Sequence, residues 1–244
     1  MAPDPGVRPL LKVCGLRQPD QARAVAALGV DAMGVIGVAA SPRFVAAEER
    51  QLVFAAMAEG SPTCQGVLVV ADPSDDELAT LAVGRGHGVL QLHGQESVER
   101  CAQLRERLGL PLWKAVRVRS PHDLAMALSY VGAVDALLLD AWVPDQLGGT
   151  GHRIPIEWLE DFDPPLPWWL AGGLSPERLP EVLRRLRPQG LDVSSGVEDA
   201  PGVKNLERVR QLIAARDRSP AAGTAGFSPS PGTSPSSWMP PAIP

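Results

Sequence analysis

The chain has little that would staple it together or hold it in a membrane. Its only cysteines are Cys14, Cys64 and Cys101, an odd number with no metal-ligand spacing. Neither a disulfide framework nor a zinc site follows from them, and they fit a reducing compartment. No run approaches 18 consecutive apolar residues, so no membrane span is expected. Met1 to Pro9 carries three prolines and no long apolar stretch, unlike a secretory signal. Aromatic residues make up only 5% and the net charge is −5, with no basic stripe interleaved with aromatics. Nucleic-acid binding therefore has little support, and the expectation is a cytoplasmic protein.

What is present is an ordinary globular composition, 45% hydrophobic and 21% charged over 244 residues, enough to bury a sizeable core. The chain is organised from Leu10-Leu11-Lys12-Val13-Cys14-Gly15, an apolar run read as a first strand. Strand alternation puts Lys12 and Cys14 on one face and Leu11 and Val13 on the other. A thiol one alternation from an ammonium is placed to be partly deprotonated; the other reading is a buried cysteine acting as a small apolar residue. Strand and helix patterns then alternate. Ala22, Val25, Ala26 and Gly29 make a helix stripe, Asp31 to Val38 reads as a second strand, and Glu48 to Glu59 as a helix. Strands follow at 65–70, 88–93, 112–118, 135–140, 168–171 and 191–193. The intervening helices open on Ser74 with Glu77, on Ser97, on Ser120-Pro121 and on Ser175-Pro176, with a shorter one around 156–162. In its helix Cys101 lies on the apolar face and reads as core filling.

Eight strand-then-helix units in about 210 residues imply parallel strands with right-handed crossovers, and a closed single-domain (β/α)8 TIM barrel over 10–216 fits that count. An open doubly wound sheet is the rival, but Cys14-Gly15-Leu16-Arg17 is not the Gly-rich turn it normally carries. Residues 1–9 read as a flexible arm. From Ser219 the composition turns to Pro, Ser, Gly and Ala, so 217–244 is expected to be a disordered tail that cannot bury enough apolar surface to fold.

In a barrel the chemistry lies at the C-terminal strand ends and the loops after them. Those positions here are Cys14 after strand one, Arg43 in the second loop, His93 closing strand four and Asp140 closing strand six. Gly172-Gly173 follow strand seven, and Asp192 with Ser194-Ser195-Gly196 ends strand eight. The glycines and the Ser-Ser-Gly offer backbone N–H groups to a phosphate. Arg43 offers a planar fork to a carboxylate, or is a solvated loop arginine. Asp140 fits a general acid or a helix cap, and His93 fits a structural hydrogen bond as well as it fits catalysis.

Taken together, Lys12-Val13-Cys14-Gly15, Ser41-Pro42-Arg43-Phe44-Val45, Gln91-Leu92-His93-Gly94, Leu138-Leu139-Asp140 with Gly148-Gly149-Thr150-Gly151, Leu170-Ala171-Gly172-Gly173-Leu174 and Asp192-Val193-Ser194-Ser195-Gly196-Val197-Glu198 resemble the phosphoribosylanthranilate isomerase family of tryptophan biosynthesis. Pro201-Gly202-Val203-Lys204 resembles the family's close. The resemblance runs from about Leu10 to Arg216. It implies a cofactor-independent, metal-free Amadori rearrangement of N-(5-phosphoribosyl)anthranilate to 1-(2-carboxyphenylamino)-1-deoxyribulose 5-phosphate. It also implies Cys14 as general base and Asp140 as general acid. Arg43 would hold the anthranilate carboxylate, and the loops after strands seven and eight the phosphate. Lys12 is the expected depressor of the Cys14 pKa. The protein would be a monomer or homodimer. Leu16-Arg17 stands where Ile-Thr is usual, Val35-Ile36-Gly37-Val38 where aromatics are common, and His152 where lysine is frequent. Two alternatives stay open: an indole-glycerol-phosphate synthase, kept alive by Lys12 and Lys114, and a catalytically silent barrel acting as a scaffold.

Overall fold

Eight parallel strands hydrogen-bond in sequence order until the eighth meets the first, in a computed structural model that describes residues 8–141 and 153–218. They are β1 (Leu10–Cys14), β2 (Ala32–Ile36), β3 (Gln65–Val70), β4 (Val89–Leu92), β5 (Leu112–Val118), β6 (Ala136–Ala141), β7 (Trp168–Leu170) and β8 (Gly190–Val193). Ring closure is direct: Leu10, Leu11, Lys12 and Val13 of β1 pair with Gly190, Leu191, Asp192 and Val193 of β8. The closed alternative therefore holds over the open sheet, and no strand of the ring is left with an unpaired edge.

Closure buries both faces of every strand, which sorts alternate residues into two cores. Leu11, Val13, Leu68, Leu90, Leu137 and Leu139 face outward into a layer shared with the helices. Ala32, Val67, Val89, Trp113, Ala115, Ala136, Leu138, Trp169 and Ala171 fill the inside of the ring. There Trp113 and Trp169 lie against one another with ring centroids 4.6 Å apart. This plug closes the lower barrel, so inward residues one alternation further along β1, β4, β6 and β8 emerge above it as a polar layer.

The outer layer contains α1 (Pro19–Ala26), α2 (Ala47–Gly60), α3 (Leu78–Leu81), α4 (Val98–Leu108), α5 (Pro121–Ala127), α6 (Leu179–Arg185) and α7 (Leu206–Arg218). α4 is capped by the Ser97 side chain and ends on the left-handed Gly109, and the buried Cys101 is core filling as the pattern indicates. Several boundaries differ from expectation. Ser74 and Glu77 do form a capping box, but it opens a 3-10 turn and the four-residue α3 rather than a full helix. Only a 3-10 turn, Ile156–Trp158, stands where a short helix was expected after β6. Ser175-Pro176 leads into a turn in which the Ser175 carbonyl accepts from the N–H groups of Arg178 and Leu179, and α6 starts at Leu179. α7 continues to Arg218, past the expected barrel boundary at 216. The Gly148-Gly149-Thr150-Gly151 loop, His152 and the Pro/Ser-rich tail lie outside the described residues. A small antiparallel hairpin, β9 (Glu198–Ala200) with β10 (Val203–Lys204), follows β8 and was not expected.

Candidate active site

A cleft opens at the C-terminal mouth of the ring. Its lining includes all ten residues singled out from the sequence: Cys14, Arg43, His93, Asp140, Gly172, Gly173, Asp192, Ser194, Ser195 and Gly196. It also includes Gln91, which the sequence analysis quotes within a motif but gives no role.

Cys14 is the last residue of β1 and 7% exposed. Beneath it the wholly buried Lys12 donates to Asp192 Oδ2 at 2.9 Å, across the β1–β8 seam that closes the barrel. Burial pulls the Lys12 ammonium down, but Asp192 and Cys14 together outweigh that and hold it above its usual range. The expected depression of the Cys14 thiol is not what results. Burial pushes the thiol up and Asp192 adds to that, whereas Lys12 and Lys204 pull it down; the net direction is upward. Strand alternation predicts the sign of the Lys12 contribution but not the desolvation that exceeds it, because burial depth is a property of the closed ring.

Asp140 ends the inward-facing row of β6, with Oδ1 accepting from the Ala141 N–H at 2.9 Å. Its other oxygen lies 3.5 Å from His93 Nε2, so the imidazole and the carboxylate face each other across the cleft wall. Gly172 and Gly173 follow β7 with φ of +84° and +60°. Consecutive left-handed residues turn successive N–H groups towards one side, the arrangement that cradles an anion, and Arg178 braces the turn by donating to both glycine carbonyls. After β8, Ser194 donates its hydroxyl to the Cys14 carbonyl, joining the thiol's strand to the Ser-Ser-Gly loop.

Arg43 reaches the cleft over Gly15, whose missing side chain matters: a Cβ there would lie 2.5 Å from Arg43 Cδ. The guanidinium is held by Glu198 through Nε to Oε1 at 2.9 Å and Nη2 to Oε2 at 2.6 Å. This bond to Glu198 raises the Arg43 pKa despite burial. Glu198 is itself held below its usual range: burial opposes ionisation, but Arg43 and Lys204 overcome it. The Lys204 ammonium donates to Glu198 and to the Cys14 carbonyl. Burial lowers its pKa, with Glu198 opposing. Glu198 and Lys204 were visible only as parts of quoted motifs; the hairpin that turns both back under the thiol gives no periodic signal of its own. No group of three or more His, Cys, Asp or Glu with the geometry to hold a metal ion occurs among the described residues.

The family profile described as N-(5'phosphoribosyl)anthranilate (PRA) isomerase matches residues 11–215. The chain belongs to the phosphoribosylanthranilate isomerase family. A family relative from Synechococcus elongatus, named N-(5'-phosphoribosyl)anthranilate isomerase, is 45% identical over 209 residues, covering 85% of this chain and 96% of its own. The crystal structure of phosphoribosyl anthranilate isomerase from Thermotoga maritima superposes with a TM-score of 0.77 at 27% identity, covering 86% of this chain and 98% of that one. A structure of the isomerase in complex with reduced 1-(o-carboxyphenylamino)-1-deoxyribulose 5-phosphate has a TM-score of 0.71 at 27% identity, with coverage of 86% and 98%. The synthase and scaffold alternatives give way to the isomerase family. Lys114, which had kept the synthase open, points outward from β5 and is buried in an ion pair with Glu96 at 2.7 Å.

Proposed function

We propose that Cys14 is the general base and Asp140 the general acid of the isomerisation of N-(5'-phosphoribosyl)anthranilate, the family's step in tryptophan biosynthesis. Asp140 delivers a proton to the ribose ring oxygen, the C1–O bond breaks, and the anilino nitrogen's lone pair forms a C1=N iminium. That cation acidifies C2–H. Cys14 as thiolate takes the C2 proton, and the C–H electrons form the C1=C2 bond of an enolamine. Addition of a proton at C1 and loss of the C2 hydroxyl proton give the ketose and return both groups to their starting states. The left-handed Gly172-Gly173 turn and the Ser194-Ser195-Gly196 loop hold the phosphate through backbone N–H groups, and Asp192 Oδ1, which Lys12 leaves free, accepts from a ribose hydroxyl. Arg43, steadied by Glu198, presents its remaining donors to the anthranilate carboxylate, with His93 beside Asp140. No step requires a metal or cofactor, and a cytoplasmic location suits a pathway enzyme with no helix, among the described residues, long and apolar enough to cross a membrane.

The single observation that supports this reading is that Cys14 and Asp140 line the same cleft as Gly172-Gly173 and Ser194-Ser195-Gly196. Loss of anthranilate-type fluorescence from freshly prepared substrate reports turnover. Cys14→Ser and Asp140→Asn are each expected to lower kcat by roughly 10²–10⁴-fold while retaining affinity for the reduced product analogue. Wild-type kcat in either variant overturns the assignment of that residue.

A further inference from the structure

Gln91 is wholly buried, yet neither end of its carboxamide has a hydrogen-bond partner among the described residues. An unpaired buried amide is normally disfavoured, and its persistence asks for an explanation. Its position supplies one. Gln91 points inward from β4, in register with Val69 of β3 on one side and Trp113 of β5 on the other. Both flanks are apolar, and the Trp113–Trp169 plug fills the ring interior. The carboxamide therefore has no lateral partner, and it lines the cleft that holds Cys14 and Asp140.

We infer that Gln91 is a specificity-determining residue that grips the C2–C3 diol of the ribose. The inference deepens the proposed reading of this cleft and rests on it. A carboxamide carries one donor end and one acceptor end, so its partner must supply both kinds. A phosphate or carboxylate accepts only and would leave Oε1 facing an anion. The anilino N–H donates only and would leave Nε2 unmatched. A vicinal diol satisfies both ends. The reaction fixes which end meets which hydroxyl: the C2 oxygen becomes a carbonyl, an acceptor only, so Nε2 donates to it and Oε1 accepts from the C3 hydroxyl. The donor on the C2 oxygen is then retained from enolamine to ketone.

The test uses the full-length protein, Gln91→Leu and Gln91→Met, and two substrates, made by condensing anthranilate with ribose 5-phosphate or with 3-deoxyribose 5-phosphate. Gln91→Leu is expected to lower kcat/KM for the normal substrate roughly 10- to 100-fold. Removing an unpaired buried amide should at the same time raise Tm by roughly 2–4 °C, the opposite of what loss of a structural group would do. The 3-deoxy substrate should be penalised in the wild type and much less in either variant, because the partner of the missing hydroxyl is already gone. Competitive inhibition by inorganic phosphate should be unchanged. Wild-type kcat/KM in both variants, additive penalties from variant and 3-deoxy substrate, or a lowered Tm with unchanged affinity for the reduced product analogue would each overturn the inference. Its failure is separable from that of the acid–base reading, which Cys14→Ser and Asp140→Asn test independently.

Discussion

Gly34 sits opposite Cys14 in the β1–β2 pairing, and it is the position from which the thiol can be moved without touching it. A Cβ built there would lie 2.6 Å from Cys14 Sγ, 3.2 Å from Cys14 Cα and 3.2 Å from Lys12 Cε. The backbone at Gly34 is not left-handed, so alanine is admissible by conformation and the whole effect is steric. Restoring ordinary van der Waals separation requires the sulfur to shift by about 1 Å. Cys14 cannot take up that shift by sliding along its strand, because β1 is held on its other side by β8. Overpacking of this kind costs about 1–3 kcal/mol of stability. A displacement of about 1 Å in a proton-transfer group can cost about 10²-fold in rate, equivalent to about 2.7 kcal/mol of barrier. Gly34→Ala should therefore fold, with Tm lowered by several degrees, and should lose about 10²-fold in kcat while binding the reduced product analogue nearly as wild type. Stopped fluorescence decay gives kcat, thermal unfolding gives Tm, and titration gives the affinity. A kcat within twofold of wild type together with the lowered Tm would refute the reasoning, since a thiol displaced without consequence is not the base.

Two further outcomes follow from the buried charges. Lys12→Met leaves Asp192 buried without its cation and should destabilise the fold by about 3–5 kcal/mol, whereas Lys12→Met combined with Asp192→Leu should recover most of the loss; denaturant unfolding compares them, and equal stability of the two variants would refute a coupled pair. The net upward shift of the Cys14 thiol places its ionisation above the ordinary thiol range, so the thiolate fraction grows as pH rises towards that raised value. The pH profile of kcat/KM should accordingly climb from pH 6 to beyond pH 8. Because Lys204 lowers the Cys14 pKa, Lys204→Met should move the rising limb to higher pH. A flat profile over that interval, or a limb moved to lower pH, would contradict a thiolate base.

How far the sequence alone carried depends on whether a feature is periodic or arises from closure. The eight strands were legible because each is a short apolar run between turn signals, and their count with helices between them implied a ring. The strand-end rule then located Cys14, Asp140 and Asp192 on the same mouth without any knowledge of distance. Gln91 escaped because a polar residue inside an apolar run reads as an irregularity; only the ring shows its neighbours to be Val69 and Trp113. The hairpin carrying Glu198 and Lys204 escaped for a different reason. Two- and three-residue strands are too short to show alternation, so the partner that occupies Arg43 was invisible.

The charges around the thiol follow a common logic that no pairwise reading supplies. Lys12, Arg43 and Lys204 bring three positive charges to the neighbourhood of Cys14, and Asp192 and Glu198 bring two negative ones. The cluster is thus one anion short of balance, three minus two, and ionised Cys14 is the group positioned to supply it. Burial would keep the thiol neutral, as it does for Cys64, which burial and the nearby Asp31 carboxylate together push up to about 12. At Cys14 the same desolvation meets two lysines that oppose it. In the proposed mechanism the iminium that forms beside Cys14 favours the thiolate and acidifies C2–H, and transfer of the C2 proton then discharges the cation and the thiolate in one step. Under that assignment the desolvation that the sequence could not show serves the proposed chemistry, by making the thiolate more basic than an exposed cysteine.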